Sequence, residues 1–323
     1  MLQDNFGRKF YYLRLSITDV CNFRCNYCLP DGYECDHDRD FLKVNEIKRI
    51  ANAFAQMGTE KIRITGGEPS LRKDLPEIIR TVKQTAGIKT VAMTSNGFKL
   101  TEHIDDWIDA GLDSLNLSID SLDPRQFQAI TGKDKLQTIL DGIEKAQKRG
   151  FNNIKVNTVL MREYNHHEMK QFLDWVKHTP ISLRFIELMQ TGDNQEFFEK
   201  QHVSGANIKA MLLESGWMPV IRKKDAGPAE VFSHPDYQGT IGLIMPYSKD
   251  FCATCNRLRV SSLGKLHLCL FTENGLSLRE HLQTDDSQGL KDCISHMMTD
   301  KKLSHYLQEG ITGGTKHLAM LGG

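Results

Sequence analysis

The stretch Tyr12-Leu13-Arg14-Leu15-Ser16-Ile17-Thr18-Asp19-Val20-Cys21-Asn22-Phe23-Arg24-Cys25-Asn26-Tyr27-Cys28 joins a strand pattern to a loop of three thiols. In its first part Leu13, Leu15 and Ile17 fall on one face of an extended segment, and Arg14, Ser16 and Thr18 fall on the other. Its second part spaces Cys21, Cys25 and Cys28 by three and then two residues. Thiolates this close on one loop converge on a single metal centre, and iron–sulfur clusters are held by cysteine thiolates. A cubane has four irons and this loop offers three ligands, so one iron stays open, as in a catalytic rather than a closed structural site. Zinc is the competing reading, but zinc loops favour cysteine pairs completed by His or a second pair.

Outward from this segment, short apolar runs alternate with amphipathic ones. Strands are predicted at 12–18, 61–65, 90–95, 114–119, 154–160 and 182–188, with helices at 45–57, 75–85, 102–110, 136–149 and 168–178. Six strand–helix units in series predict a parallel sheet, and a right-handed series of this length closes partly into a barrel. The expected fold is therefore α/β, a partial (β/α)6 TIM-like barrel. Ile62 and Ile64 oppose Arg63 and Thr65, while Leu115 and Leu117 oppose Asn116 and Ser118. Ile154 and Val156 likewise oppose Lys155 and Asn157. A helix-covered parallel sheet is normally apolar on both faces. Unpaired buried charges cost several kcal/mol each, so the polar face is expected to line a substrate chamber. The sixth strand fits this less well, because Arg184 and Glu187 fall on opposite faces. After about residue 190 the alternation fades, one helix is predicted at 206–215, and the C-terminal third reads as a smaller separate layer.

Composition narrows the function. The 323 residues suffice for one large α/β domain with an appendage, or for two domains. With 41 Lys+Arg against 41 Asp+Glu, a nonspecific nucleic-acid binder is not expected. No run approaches membrane-span length, and the first nine residues lack a signal-peptide pattern. Eight cysteines without an export signal point to a reducing cytoplasm. Cys35 and Cys293 read as spare thiols.

A second constellation is Cys252-Ala253-Thr254-Cys255 followed by Cys269. On spacing alone, a zinc site completed by His267 or Cys293 and a second iron–sulfur cluster are equally good readings. Between these cysteines, Arg257 and Arg259 share a face if extended. Paired guanidiniums beside a metal site suit an anionic substrate such as a phosphate.

These two constellations, with Gly66-Gly67-Glu68-Pro69, Thr94-Ser95-Asn96-Gly97, the run from Asp250 to Arg259 and the terminal Gly322-Gly323, cover essentially the whole chain. Together they resemble the molybdenum cofactor biosynthesis protein A family, the GTP 3′,8-cyclases among the radical S-adenosylmethionine (SAM) enzymes. The resemblance implies a radical SAM core barrel over 5–230 and a C-terminal auxiliary-cluster domain with a Gly-Gly tail over 231–323. It implies two [4Fe–4S] clusters, one on Cys21, Cys25 and Cys28 and one on Cys252, Cys255 and Cys269. Tyr27, Gly67, Ser118 and Met189 match SAM-contacting positions, and Gly67 suits close backbone approach with peptide groups free for the SAM amino group. Arg14, Arg63, Thr94, Lys155, Arg257, Leu258 and Arg259 match GTP-binding positions, and Arg257, Arg259, Gly322 and Gly323 are expected to serve catalysis.

The implied reaction is that of a lyase. Reductive cleavage of SAM gives methionine and a 5′-deoxyadenosyl radical, which removes hydrogen from C3′ of GTP. The carbon radical then attacks C8, and reduction yields 3′,8-cyclo-7,8-dihydroguanosine triphosphate on the way to molybdopterin. The implied partners are a reductant such as flavodoxin or ferredoxin and the next cofactor-pathway enzyme, with no nucleic acid or membrane, and a homodimer is left open. Two alternatives are another radical SAM enzyme with an auxiliary cluster, for instance a peptide modifier, and a noncatalytic zinc-binding interaction protein.

Overall fold

The computed structural model describes every residue except 35–39, 193, 273–274, 315–317 and 323. Six strands follow in chain order: β1 (Tyr12–Ser16), β2 (Lys61–Thr65), β3 (Thr90–Ser95), β4 (Ser114–Ser118), β5 (Ile154–Leu160) and β6 (Ser182–Glu187). Each pairs in parallel with the next. The helices between them are α1 (Val44–Gln56), α2 (Leu75–Lys83), α3 (Leu100–Asp109), α4 (Pro124–Thr131), α5 (Leu136–Lys148) and α6 (Met169–His178). Sequence periodicity passes over α4, a short helix that Pro124 starts and the Asp123 carboxylate caps by accepting from the amides of Arg125 and Gln126.

Leu13, Leu15, Ile62, Ile64, Leu115 and Leu117 are fully buried under Ile47, Ile50 and Phe54 of α1, Ile78 and Val82 of α2, and Ile104 of α3. This is one continuous core, and hydrophobic burial on the outer sheet face is what fixes the register of the polar inner one.

The C-terminal region adds to the same sheet from both sides. After α7 (Gln195–Gln201), α8 (Gly205–Glu214), β7 (Met218–Pro219) and β8 (Glu230–Ser233), strand β9 (Thr240–Ile244) pairs in parallel with β6. Strand β10 (Arg257–Val260) returns to pair in parallel with β1. Then β11 (Lys265–His267) and β12 (Leu276–Ser277) extend that edge before α9 (Ser287–Met297) packs on the outer face. The order β12-β11-β10-β1-β2-β3-β4-β5-β6-β9-β8-β7 thus holds a core of eight parallel strands in an open, twelve-stranded sheet. Helix α7 is an addition to the single helix expected between residues 191 and 250. No helix among the described residues is long and apolar enough to cross a membrane.

Candidate active site

The thiol loop leaves β1 and is held at both ends. Its start lies on the Gly66-Gly67 turn: the Gly67 amide donates to Thr18 O at 2.9 Å and the Glu68 amide to Val20 O at 2.8 Å. A Cβ on Gly66 or Gly67 would overlap the backbone of Thr18 or of Asp19 and Val20, so only glycine lets the two segments meet. Glu68 is fully buried and accepts from the amides of Ser70 (2.9 Å) and Asn96 (2.6 Å) and from Ser95 Oγ (2.8 Å). Asn96 in turn donates to Asn22 at 2.8 Å, inside the thiol loop. Farther along, the amides of Arg24 and Asn26 donate to the carbonyls of Thr131 and Ile130 at the end of α4.

Within this frame Cys21, Cys25 and Cys28 are free, half-buried thiols, and the Cys28 amide closes a turn on Cys25 O at 2.9 Å. Burial raises all three pKa values, Cys28 to about 12, and for Cys25 the neighbouring Asp120, Cys28 and Cys21 add to it. Of the expected SAM positions, Tyr27 donates its hydroxyl to Asp120 Oδ2 at 2.9 Å, leaving its ring and backbone for a ligand. The Gly67 N–H is engaged with Thr18, contrary to the expectation of free peptide groups; its carbonyl remains to meet an amino group. Ser118 ends β4 opposite Asn157. Met189 packs with Leu318 and Cys269 on a small apolar cluster of Leu270, Phe271, Leu307 and Leu321.

The polar face behaves as its alternation predicts. Arg14 stands in register between Arg259 and Arg63, and Lys155 between Asn116 and Ser182. Arg63 is 3% exposed; its Nη1 donates to Met93 O (3.0 Å) and Thr94 Oγ1 (3.2 Å). Lys155 Nζ donates to Ser114 Oγ at 2.9 Å and to Asn153 Oδ1. Burial, then the charges of Arg184, Arg63 and Lys61, lower its pKa to about 7. Burial likewise lowers Arg14 to about 9, with the charges of Arg259, Arg63 and Arg257 adding to it, and Arg259 to about 10, with the charge of Arg257 adding to it. Strand β10 pairs with β1 along its length and with β11 at Arg259 and Val260, so Arg259 is not an edge residue, while Arg257 pairs on the β1 side. Their Nε atoms, like that of Arg184, are buried without a hydrogen-bond partner. Leu258 is 1% exposed and turns its side chain to the outer core, so only its backbone is available to a substrate.

The sequence reading passed over two cations. Arg184 falls in register with Asn157 and Gly242, on the chamber face. A Cβ at Gly242 would stand 3.0 Å from Arg184 Cγ, so the glycine makes room for the guanidinium. Glu187, which obscured the pattern, caps α8 from the opposite face, accepting from the Gly205 amide at 2.5 Å. Lys61 opens β2 beside Tyr12; its pKa is lowered by burial, with Arg63 and Arg184 among the neighbouring charges. Parity along β1 and β2 was the signal that could have found Lys61, since it lies two residues before Arg63.

The second thiol set lies at the other flank of β1. Cys255 neighbours Arg257, Lys301 and Arg259, whose charges overcome burial and bring its pKa down to about 7. Cys252 is raised by burial and lies near Cys269 and Cys255. An outer cleft of about 470 Å³, lined by Lys9, Arg222, Lys224 and Asn256 among others, reaches Cys255. His267 shares the Arg259 face, whereas Cys293 sits on α9 against the main core. Finally, the Gly322 carbonyl accepts from Arg14 Nη2, and the backbone of Leu318 and Ala319 hydrogen-bonds to Cys28. Gly323 and Cys35 lie outside the described residues.

Residues 15–176 match the radical SAM superfamily model and residues 181–307 the molybdenum cofactor synthesis C model. The chain is 60% identical over its full length to a GTP 3′,8-cyclase of Tolumonas auensis, covering 96% of that protein. This chain belongs to the GTP 3′,8-cyclase family. Among solved structures, Streptococcus suis SuiB bound to S-adenosylmethionine superposes with a TM-score of 0.66 at 12% identity, covering 94% of this chain and 69% of that one. SuiB bound to its precursor peptide SuiA gives 0.62 at 12% identity over 90% and 68%. Both share the fold.

For a cyclase of this family the thiol sets must suit clusters. Among the described residues no three metal-ligating side chains meet at coordinating distance, so the test rests on donor chemistry. The first loop offers three unpaired thiols and no histidine or second pair, and coordination would deprotonate them, reversing the shift that burial imposes. The donor set fits a [4Fe–4S] cluster.

Proposed function

We propose that this chain is a GTP 3′,8-cyclase, a lyase that converts GTP with SAM to (8S)-3′,8-cyclo-7,8-dihydroguanosine 5′-triphosphate. The observation that carries the reading is a buried sheet face bearing Arg14, Lys61, Arg63, Lys155, Arg184, Arg257 and Arg259, flanked by two cysteine triads. Cations crowded so closely in a chamber require an anion of comparable charge, and a triphosphate supplies one. A peptide substrate has no such requirement.

The cluster held by Cys21, Cys25 and Cys28 would supply the electron that opens SAM to a hydrogen-abstracting radical. The chain's own residues do the rest by binding and orientation. Arg63, Lys155, Lys61 and Arg184 take the phosphates, Arg257 and Arg259 orient the nucleoside, and Tyr27, Gly67, Ser118 and Met189 seat SAM. Cys252, Cys255 and Cys269 would hold a second [4Fe–4S] cluster near the guanine, and the apolar layer of Met189, Phe271 and Leu321 excludes water. A small reductant protein and the next enzyme of the cofactor pathway complete the set of partners. Anaerobic incubation with SAM, GTP and a strong reductant tests the reading by mass spectrometry. The cyclic nucleotide should form together with methionine and 5′-deoxyadenosine. SAM cleavage without any nucleotide product would refute it.

Arg184 extends the binding set. Arg184→Ala removes charge-assisted hydrogen bonds of about 1.5–3 kcal/mol, so GTP affinity should fall roughly ten- to hundredfold. SAM affinity should stay within about twofold of the original. Equal losses for both ligands would indicate a folding defect and remove Arg184 from the site.

A further inference from the structure

Tyr12 is 3% exposed and lies on the chamber face, in register between Arg257 and Lys61. Its hydroxyl oxygen accepts from Arg63 Nε. The Lys61 ammonium stands 5.1 Å from its ring centroid and the Arg63 guanidinium carbon 5.9 Å. Arg14, two residues along the same strand, also acts on it. From farther across the chamber, Lys155, Arg184 and Arg259 each feel the phenol's charge. The carboxylate of Asp225 engages Lys61 at 3.9 Å. Among the described residues, Tyr12 is therefore the acidic group that acts on Arg14, Lys61, Lys155, Arg184 and Arg259 alike.

We propose that Tyr12 is the proton-exchanging counter-group of this chamber: its phenolate balances the cations until the triphosphate takes over their charges, whereupon the phenol oxygen takes up a proton from solvent. The inference rests on the GTP reading above. One O–H bond forms at Tyr12 Oη, and nothing is oxidised or reduced. Burial alone would raise the phenol's pKa, but Arg63, Arg14, Lys61 and the Arg63 hydrogen bond outweigh it and bring it down to about 7. An incoming polyanion screens those charges and restores the ordinary phenol range. GTP binding should then absorb protons above neutral pH, and affinity should fall by up to about tenfold per pH unit there. Arg63, which Tyr12 holds at Nε, keeps both terminal nitrogens for other partners, so Tyr12 is also a positioning residue.

The test is calorimetric titration of GTP into the anaerobically reconstituted full chain, without reductant, in two buffers of different ionisation heat. At about pH 8 the wild type should take up roughly 0.9 more proton per GTP than Tyr12→Phe, since a group of pKa about 7 is mostly ionised there. The nucleotide's own terminal phosphate contributes equally to both proteins and cancels. Equal proton counts with intact GTP binding would overturn the Tyr12 proposal alone, whereas absence of GTP binding to the wild type would sink the GTP reading with it. Should the phenylalanine variant fail to assemble its clusters, the pH profile of Lys155→Met decides, because that variant lacks the other phosphate-binding group that titrates near 7. In it, affinity that stays flat from about pH 7 to about pH 9 refutes the proposal, and a fall toward alkaline pH supports it.

Discussion

Cys25→Ser should abolish SAM cleavage, and Cys252→Ser should leave SAM cleavage running without cyclisation. The first loss follows from the chemistry of the donor. Serine preserves the size of the side chain, and the loop is anchored by backbone bonds that do not involve the thiol: Arg24 N to Thr131 O at 3.0 Å, Asn26 N to Ile130 O at 3.1 Å, and Cys28 N to Cys25 O at 2.9 Å. The fold therefore survives, while a hydroxyl is a poor ligand for iron and the electron donor to SAM is lost. The second loss is different in kind. Cys252 lies near Cys255 and Cys269, a second triad far along the chain from the loop that follows β1. About half the iron should disappear on two-cluster accounting, and 5′-deoxyadenosine should still form. Iron per chain and product ratio are the readouts. Residual SAM cleavage in Cys25→Ser would break the assignment of the first triad. Full iron and full cyclisation in Cys252→Ser would end the two-cluster reading.

The sequence disclosed the inner face because apolar packing under α1 to α3 forces strict alternation on β1, β2, β4 and β5. Arg14, Arg63 and Lys155 stand out only because their neighbours on the opposite face are all Leu, Ile or Val. Where a strand must also serve a helix, the pattern blurs. Glu187 caps α8 from the core side of β6, which disguised Arg184 three residues earlier. Strand β9 was harder still, since its central Gly242 exists to clear Arg184 and reads as a turn residue. The two outer parallel strands, β9 and β10, come from a region whose composition is loop-like, because their partners are supplied by residues 58 and 245 positions away. Such pairing leaves no local trace. Tyr12 was invisible for a further reason: an aromatic residue at the start of a strand looks like core, and only its register between Arg257 and Lys61 places it with the charges.

Gly322→Ala should reduce cyclised product by about a hundredfold or more while clusters and SAM binding persist. Final residues usually fray, but this tail is fixed at three points. The backbone of Leu318 and Ala319 meets Cys28, Leu321 is 3% exposed within the Leu270, Phe271 and Leu307 cluster, and the Gly322 carbonyl accepts from Arg14 Nη2. Gly322 has φ of 60°, in the left-handed region that costs other residues roughly 1–2 kcal/mol. An added Cβ would also overlap the side chain of Thr65, itself 1% exposed at the end of β2 and unable to retreat. The variant tail must therefore leave the chamber, and Arg14 loses the contact that aims it. Arg14 is in register with both Arg63 and Arg259, so the error is passed to the substrate's position rather than to its binding. GTP affinity should change by only a few-fold while kcat collapses, and deletion of residues 322–323 should reproduce the effect. A variant that cyclises GTP at the full rate would show that the contact with Arg14 does nothing in the reaction.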